Sequence, residues 1–419
     1  VLIHLRLALI VLGPLVVGGA RAESDDNIDK RTDSQPTALV VSASNQPLIV
    51  SGSDGLMHLE YDLFVTNVFT APATLTSIEV TRPDGRKLLE LSGDALAAVT
   101  EPLLQPGQPV SPPRQIPGSQ EKGAASGSVA VVMDVAVPHG HVPQRLTHHI
   151  TYDLPADAHG LALIGSREIA GPELVVDSRP PVVIAPPLRG TGWFSVQGCC
   201  TPNGHRSLRY ALNGERIIKA ETFAIDWVQL RDGFAFTGDG TRNEQYFGFG
   251  SDVFAAADGT VVFVRDDLPE ETPGLEPLHV KKPIDFAGNQ VVLRLGSDVW
   301  AVYAHLQTGS VKVRVGEEVT TGQVLARLGN SGNTNAPHLH FVVTDHPDFV
   351  IARSVPFVFN RYVEAGFVTP QAFNSHLLPI PISDSRQRQR HTHPLVLTVS
   401  DFLTRHSGHR GADEPEDDR

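Results

Sequence analysis

From Leu39 onward the chain alternates apolar and polar positions over short runs broken by turn residues. Leu59, Tyr61, Leu63 and Val65 alternate with Glu60, Asp62, Phe64 and Thr66. That period of two predicts a strand with one buried face. Residues 77–80 and 87–91 flank Pro83-Asp84-Gly85, a hairpin signal. Residues 129–137 form a nearly continuous apolar run, 146–153 read as another strand, and 101–126 read as a long loop rich in Pro, Gly, Gln and Ser. Several short strands with turns between them predict an immunoglobulin-like β-sandwich over 39–178. Pro180-Pro181 and Pro186-Pro187 then bracket a short apolar stretch, which predicts a stiff linker over 179–198.

The pattern beyond the linker is also β. Phe223, Ile225 and Trp227 alternate with Ala224, Asp226 and Val228. Residues 253–264, VFAAADGTVVFV, read as a hairpin turning at Asp258-Gly259, and 291–295 with 300–305 read as a second one around Gly296-Ser297-Asp298. Residues 311–315 and 324–328 read as further strands. No segment shows helical periodicity with caps. The expected fold class is therefore all-β, with a second domain over 199–404. A polar segment, 23–38, precedes the sandwich, and an acidic tail over 405–419 is expected to be disordered.

Composition refines this picture at the ends of the chain and in its chemistry. His4 and Arg6 precede an apolar run over 7–17, followed by Ala20-Arg21-Ala22 and then acidic residues. The run is short for a membrane span of about 20 residues, so residues 1–22 read as a secretory signal peptide and the protein as secreted or periplasmic. No later segment is apolar enough to span a bilayer. The 37 glycines and 32 prolines make up about one residue in six, above the usual share of roughly one in eight, which favours turns and short strands. A net charge of −13 argues against binding a nucleic-acid backbone. The two cysteines, Cys199 and Cys200, are adjacent. They cannot form a framework of spaced disulfides, and the expectation is two buried thiols, with a vicinal disulfide as the alternative.

Among the 18 histidines, one stretch carries chemistry. His338 and His340 in Pro337-His338-Leu339-His340-Phe341 lie two apart, so in a strand they share a face while Leu339 and Phe341 point to the core. Two imidazoles side by side suit a zinc site. His305 closes the apolar run Val302-Tyr303-Ala304, where a polar ring needs a partner. Asp226 lies on the strand face opposite Ile225 and Trp227, where a carboxylate pairs with a cation or with a residue such as Arg231. His139, His141, His148 and His149 read as solvated residues of a sandwich edge. His391 and His393 read as solvated positions before the last strand, and 266–285, which holds His279, as a loop able to rim a groove.

The run VGEEVTTGQVLARLGNSGNTNAPHLHF, with VYAHL upstream and DVFAAADGTVVFV before that, resembles the lysostaphin-type zinc metallopeptidases, the LytM-like family, over roughly residues 200–345. Biotinyl and lipoyl carriers share the glycine spacing, but no lysine stands at a hairpin tip here. The resemblance implies an antiparallel sheet with an open groove and one zinc per chain, held by an upstream His–Asp pair and the second His of HxH. Carried over, Asp226 and His340 are ligands. The family's first ligand His stands four residues before the Asp, where this chain has Thr222. The nearest upstream histidine is His205, which makes it the third ligand if residues 207–221 are an insertion turning at Asn213-Gly214. His305 and His338 then correspond to the family's two non-ligand active-site histidines.

Two His and one Asp leave a fourth position open for water, whose pKa a zinc ion lowers toward ~7. With no HExxH helix, proton transfer falls to His305 and His338. The resemblance implies a secreted zinc endopeptidase acting on the peptides of bacterial cell-wall peptidoglycan. The alternative is a degenerate LytM-like module that binds and regulates cell-wall hydrolases, and zinc binding separates the two.

Overall fold

The structure, a computed structural model, describes residues 35–103, 110, 113–118, 127–369, 372–373, 378–389, 391–395 and 398–402. The signal-type segment 1–22, most of 23–38 and the tail 405–419 lie outside the described residues. Among the described residues the chain is built mainly from strands, with short α-helical segments such as Gly93–Ala98 and Gly204–Ser207. No helix among the described residues is long and apolar enough to cross a membrane.

The N-terminal part consists of two antiparallel sheets. In the first, Leu39–Ala43, Leu56–Asn67, Ser128–Pro138 and Thr100–Pro102 lie in that order, with Leu48–Ser51 also paired to Leu56–Asn67. In the second, the order is Glu168–Ala170, Arg145–Asp153, Ala73–Thr81 and Lys87–Ser92. Both sheets feed one core: Leu59, Tyr61, Leu63 and Met133 from the first meet Leu75, Ile78, Ile150 and Tyr152 from the second. The period-two alternation along Leu56–Asn67 is thus realised. Its polar face is not wet, however, since Glu60 and Asp62 are 1% and 0% exposed.

The C-terminal part is organised by a ten-stranded sheet. Its order is Glu318–Val319, Gly259–Arg265, Asn289–Gly296, Val299–Leu306, Leu339–Thr344, Ile225–Gln229, Gly190–Val196, Thr398–Phe402, Tyr362–Phe367 and Ser383–Gln389. Every pairing in it is antiparallel. Ile225, Trp227, Tyr303, Leu339 and Phe341 bury one face in the main core. This leaves Asp226 and His340 on the other face, as alternation requires.

Several local expectations change. Within the stretch read as a linker, Val182–Ile184 pairs in parallel with Phe357–Phe359, and Gly190–Val196 is a central strand of the large sheet. The prolines bound strands instead of spacing domains. Residues 253–264 do not close a hairpin: Asp252–Phe254 pairs with Val324–Arg327, and Gly259–Arg265 with Asn289–Gly296. The Asp258 carboxylate accepts from the backbone and hydroxyl of Thr321, both at 2.7 Å, which ties the turn to a distant segment. Residues 311–315 form no strand. Cys199 and Cys200 are not thiols but a disulfide, across a cis peptide that brings their Cα atoms to 3.1 Å. Two histidines read as solvated are buried. His148 meets the Tyr61 hydroxyl at 2.8 Å, and the backbone N–H of His393 donates to the Ser51 carbonyl at 2.6 Å.

Candidate active site

The site grows from sheet register. Asp226 pairs directly with His340, and His340 with Ala304 on its other side. Direct cross-strand partners share a face, so the carboxylate and the imidazole are brought together, with Asp226 Oδ1 3.0 Å from His340 Nδ1. His338 immediately precedes the strand Leu339–Thr344 and lies on the same side. Its Nδ1 faces the Ala336 carbonyl at 2.8 Å, and its Nε2 lies 3.3 Å from Asp226 Oδ1.

His305 requires a departure from regular pairing. As the neighbour of Ala304 it would point to the opposite face of a regular strand. Its φ is +58°, and the ladder to Asn289–Gly296 is irregular between Asn289 and Val291. Bulges of this kind re-aim side chains. The ring turns into the site, its centroid 4.7 Å from that of His338, with Nδ1 2.8 Å from the Ser331 carbonyl. The Nδ1 atoms of both His305 and His338 therefore donate to carbonyls, which leaves each Nε2 as the atom facing the cleft.

His205 comes from outside the sheet, on the helical turn Gly204–Ser207, whose N-cap Asn203 accepts from the backbone of His205 and Arg206. The insertion expected after it exists, with Tyr210–Leu212 and Arg216–Ile218 forming a hairpin around Asn213-Gly214, both at positive φ. His205 Nδ1 faces the carbonyls of Gln197 and Ala224 at 3.1 and 3.3 Å, so Nε2 is turned toward Asp226 Oδ2, 3.3 Å away. One donor atom from each of His205, Asp226 and His340 lies within 4.8 Å of the others, and all three residues are buried. The structure thus brings together all five residues singled out in the sequence. Asp226 pairs with histidines and with Gln197 Nε2 at 3.0 Å, not with Arg231.

Electrostatics follow from that packing. Burial alone would raise the Asp226 carboxyl, but the charges of His205 and His338 hold it well below the usual carboxylate range. Burial pulls His205 down, and Asp226 with Glu221 overcomes this and lifts it to about 9. Burial, reinforced by His338 and His340, pushes His305 well below the ordinary imidazole value.

Glu221 was missed by sequence reasoning. Its Oε2 lies 4.0 Å from His205 Nε2 and its Oε1 4.0 Å from His340 Nε2. The latter nitrogen is buried without a hydrogen-bond partner. The only signal in the sequence was adjacency to Thr222, the position where the family carries its first ligand. These groups line a cleft of about 540 Å³ with walls from Val196, Leu208, Phe286 and Phe349 and a rim from Leu275 to Pro277. The loop expected to edge a groove does so, although His279 itself turns away to Glu271 at 3.0 Å.

The residues present fit a divalent cation of zinc's preferences. Two imidazoles and a carboxylate come together from three elements of the chain, and a buried histidine nitrogen is left with no hydrogen-bond partner.

Residues 246–350 match Peptidase family M23, so the chain carries a domain of that family and the LytM-like resemblance is borne out. The match holds His305, His338 and His340, whereas His205 and Asp226 precede it. The peptidoglycan DD-endopeptidase ShyA of Vibrio cholerae is 28% identical over 109 residues, covering 26% of this chain and 21% of that protein. An uncharacterized metalloprotease of Haemophilus influenzae is 35% identical over 92 residues, 22% of this chain and 16% of that protein. The chain thus spans about a fifth or less of the length of these relatives. Among solved structures, a zinc-containing peptidase from Vibrio cholerae aligns at 14% identity and a TM-score of 0.25 over 73% of this chain and 83% of that one.

Proposed function

We propose that this protein is a zinc-dependent endopeptidase of the cell envelope, cutting peptide bonds in peptidoglycan, with the metal held by His205, Asp226 and His340. The observation that carries the reading is the arrival of His205, from outside the sheet and outside the M23 match, beside the cross-strand pair Asp226–His340. The relatives support the substrate class, and the signal-type segment supports action outside the cytoplasm.

Zinc bound by these three side chains supplies Lewis acidity, polarising the scissile carbonyl and acidifying water. The chain's own residues do the rest. Asp226 neutralises charge among the histidines and, with Gln197, is fixed in orientation. His305 and His338, with their Nδ1 protons committed to carbonyls, present Nε2 to the cleft. Of these two rings, one that is neutral can take a proton from water and one that is protonated can give its proton to the departing amine. Val196, Leu208, Phe286 and Phe349 give the cleft apolar wall beside these groups.

Zinc content of the protein from Glu23 onward, measured by elemental mass spectrometry beside His205→Ala, tests the reading. One zinc per wild-type chain, lost or weakened in the variant, together with new amino groups released from muropeptides, is the expected result. Absence of zinc after incubation with excess metal would refute it and favour the degenerate regulatory module.

A further inference from the structure

We propose that the N-terminal sheets are part of the metal site, because they hold Arg206 and thereby set the position of His205. The proposal rests on the ligand reading above. Asp226 and His340 are placed by the ladder of the large sheet, but His205 sits on a single helical turn that no ladder reaches. A cap at Asn203 and two carbonyls orient it locally. What anchors the turn in space is the set of residues that follow.

Arg206 is 0% exposed and points into the outer face of the first N-terminal sheet. Its Nε donates to Glu60 Oε2 at 2.9 Å, one terminal nitrogen to Asp62 Oδ1 at 2.6 Å, and the other to the Tyr61 carbonyl at 2.9 Å. Ser207 donates to Glu101 at 2.5 Å, and Arg209 bridges Asp62 and Glu101 at 3.0 and 2.8 Å. Lys219, at the far end of the insertion, reaches Asp62 at 2.9 Å. Three carboxylates of the N-terminal part thus face three cations from 206–219. On the period of two, Glu60 and Asp62 occupy the water-facing side of their strand, yet both are dry. Buried carboxylates persist where cations satisfy them. Planar guanidinium forks on fixed acceptors hold geometry more tightly than point charges do. The residue next to the proposed first ligand is therefore fixed on three acceptors of the N-terminal sheet. Arg206 is a positioning residue held by Glu60, Asp62 and the Tyr61 carbonyl, and Glu101 holds the same turn through Ser207 and Arg209.

The test is a double-mutant cycle on zinc affinity, read by competition with a chromophoric chelator in the full chain, with folding checked by near-ultraviolet circular dichroism. Outer residues that orient a ligand typically cost about 10- to 100-fold in metal affinity when removed, and Arg206→Gln is expected in that range. In the His205→Ala background the same substitution should change affinity by no more than about twofold, because the route through His205 is gone. A merely structural role would weaken zinc equally in both backgrounds, which would overturn the proposal. Wild-type affinity in folded Arg206→Gln would also overturn it. If Arg206→Gln does not fold, Glu101→Gln, which loosens Ser207 and Arg209 while leaving Arg206 paired, is read in the same cycle against the same two outcomes. Undiminished zinc affinity in His205→Ala alone would instead overturn the ligand reading, and with it the premise.

Discussion

Asp62 is the hub of the charge cluster between the two parts of the chain, and replacing it with asparagine keeps the volume while removing the charge. The carboxylate accepts from Arg206 at 2.6 Å, Arg209 at 3.0 Å and Lys219 at 2.9 Å, and it is fully buried. Burial would raise its pKa, but Arg206, Lys219 and Arg209 together hold it far below the usual carboxylate value. An asparagine oxygen can still accept from one cation, but its amide hydrogens face the others, and no water reaches them. Breaking a buried pair from one side costs about 3–5 kcal/mol because a charge is left uncompensated, and Asp62→Asn is expected in that range at pH 6. At pH 9 the loss should be smaller, because burial and the charge of Arg206 hold Lys219 at about 7, so it has by then shed its proton. Urea unfolding followed by far-ultraviolet circular dichroism, beside tryptophan fluorescence, measures this. Trp193, Trp227 and Trp300 all lie in the large sheet and report that part alone. A loss under about 1 kcal/mol at pH 6, the scale of a solvated surface pair, would show that water reaches the cluster and would refute the reasoning.

Three further outcomes follow from the same geometry. Lys219 has a folded pKa of about 7, against roughly 10.4 when unfolded; between those values the unfolded chain holds a proton the native one has released. Wild-type stability should therefore gain from this group as pH rises through that window, and equal slopes in wild type and Lys219→Met would contradict this. Glu221→Ala removes a carboxylate 4.0 Å from His340 Nε2, which has no hydrogen-bond partner, and zinc affinity should fall about 10-fold or more; unchanged affinity would count against any role at the site. Gly288 has φ +64°, and a Cβ there would stand 2.1 Å from the Ser331 carbonyl, the acceptor for His305. Gly288→Ala should lower kcat about 10-fold, equivalent to ~1.4 kcal/mol, with zinc content retained, and unaltered kcat would show that His305 orientation does not matter.

Much of the site was legible in advance because its logic is short-range. The spacing of His338 and His340 places two imidazoles on one side, and the alternation around Asp226 places its carboxylate away from the core. His305 was readable as a polar ring closing an apolar strand, but its direction was not, since a regular strand would have aimed it elsewhere. That depended on a positive φ and an irregular ladder. Glu221 was illegible because its significance is a distance to two rings and not a spacing. His393 and His148 were misjudged for a related reason. Their polar neighbours in the chain suggested water, while the partners that bury them, Phe357 and Tyr61, are far away in sequence.

What the sequence determined by itself was therefore the all-β character, the strands with their inward and outward faces, and the residue types able to bind a cation. Each depends on the two-residue period of an extended backbone and on side-chain chemistry, both of which are local. Only the tertiary structure decided which strands pair, that the proline-bounded stretch joins the large sheet, and that the outer face carrying Glu60 and Asp62 is dry. It also decided that His205, 21 residues before Asp226, reaches the cross-strand pair. Those outcomes turn on contacts between segments distant in the chain, such as Asp226 with His340 and Arg206 with Asp62. Such contacts exist only once loop closure is offset by burial and by pairing of charges.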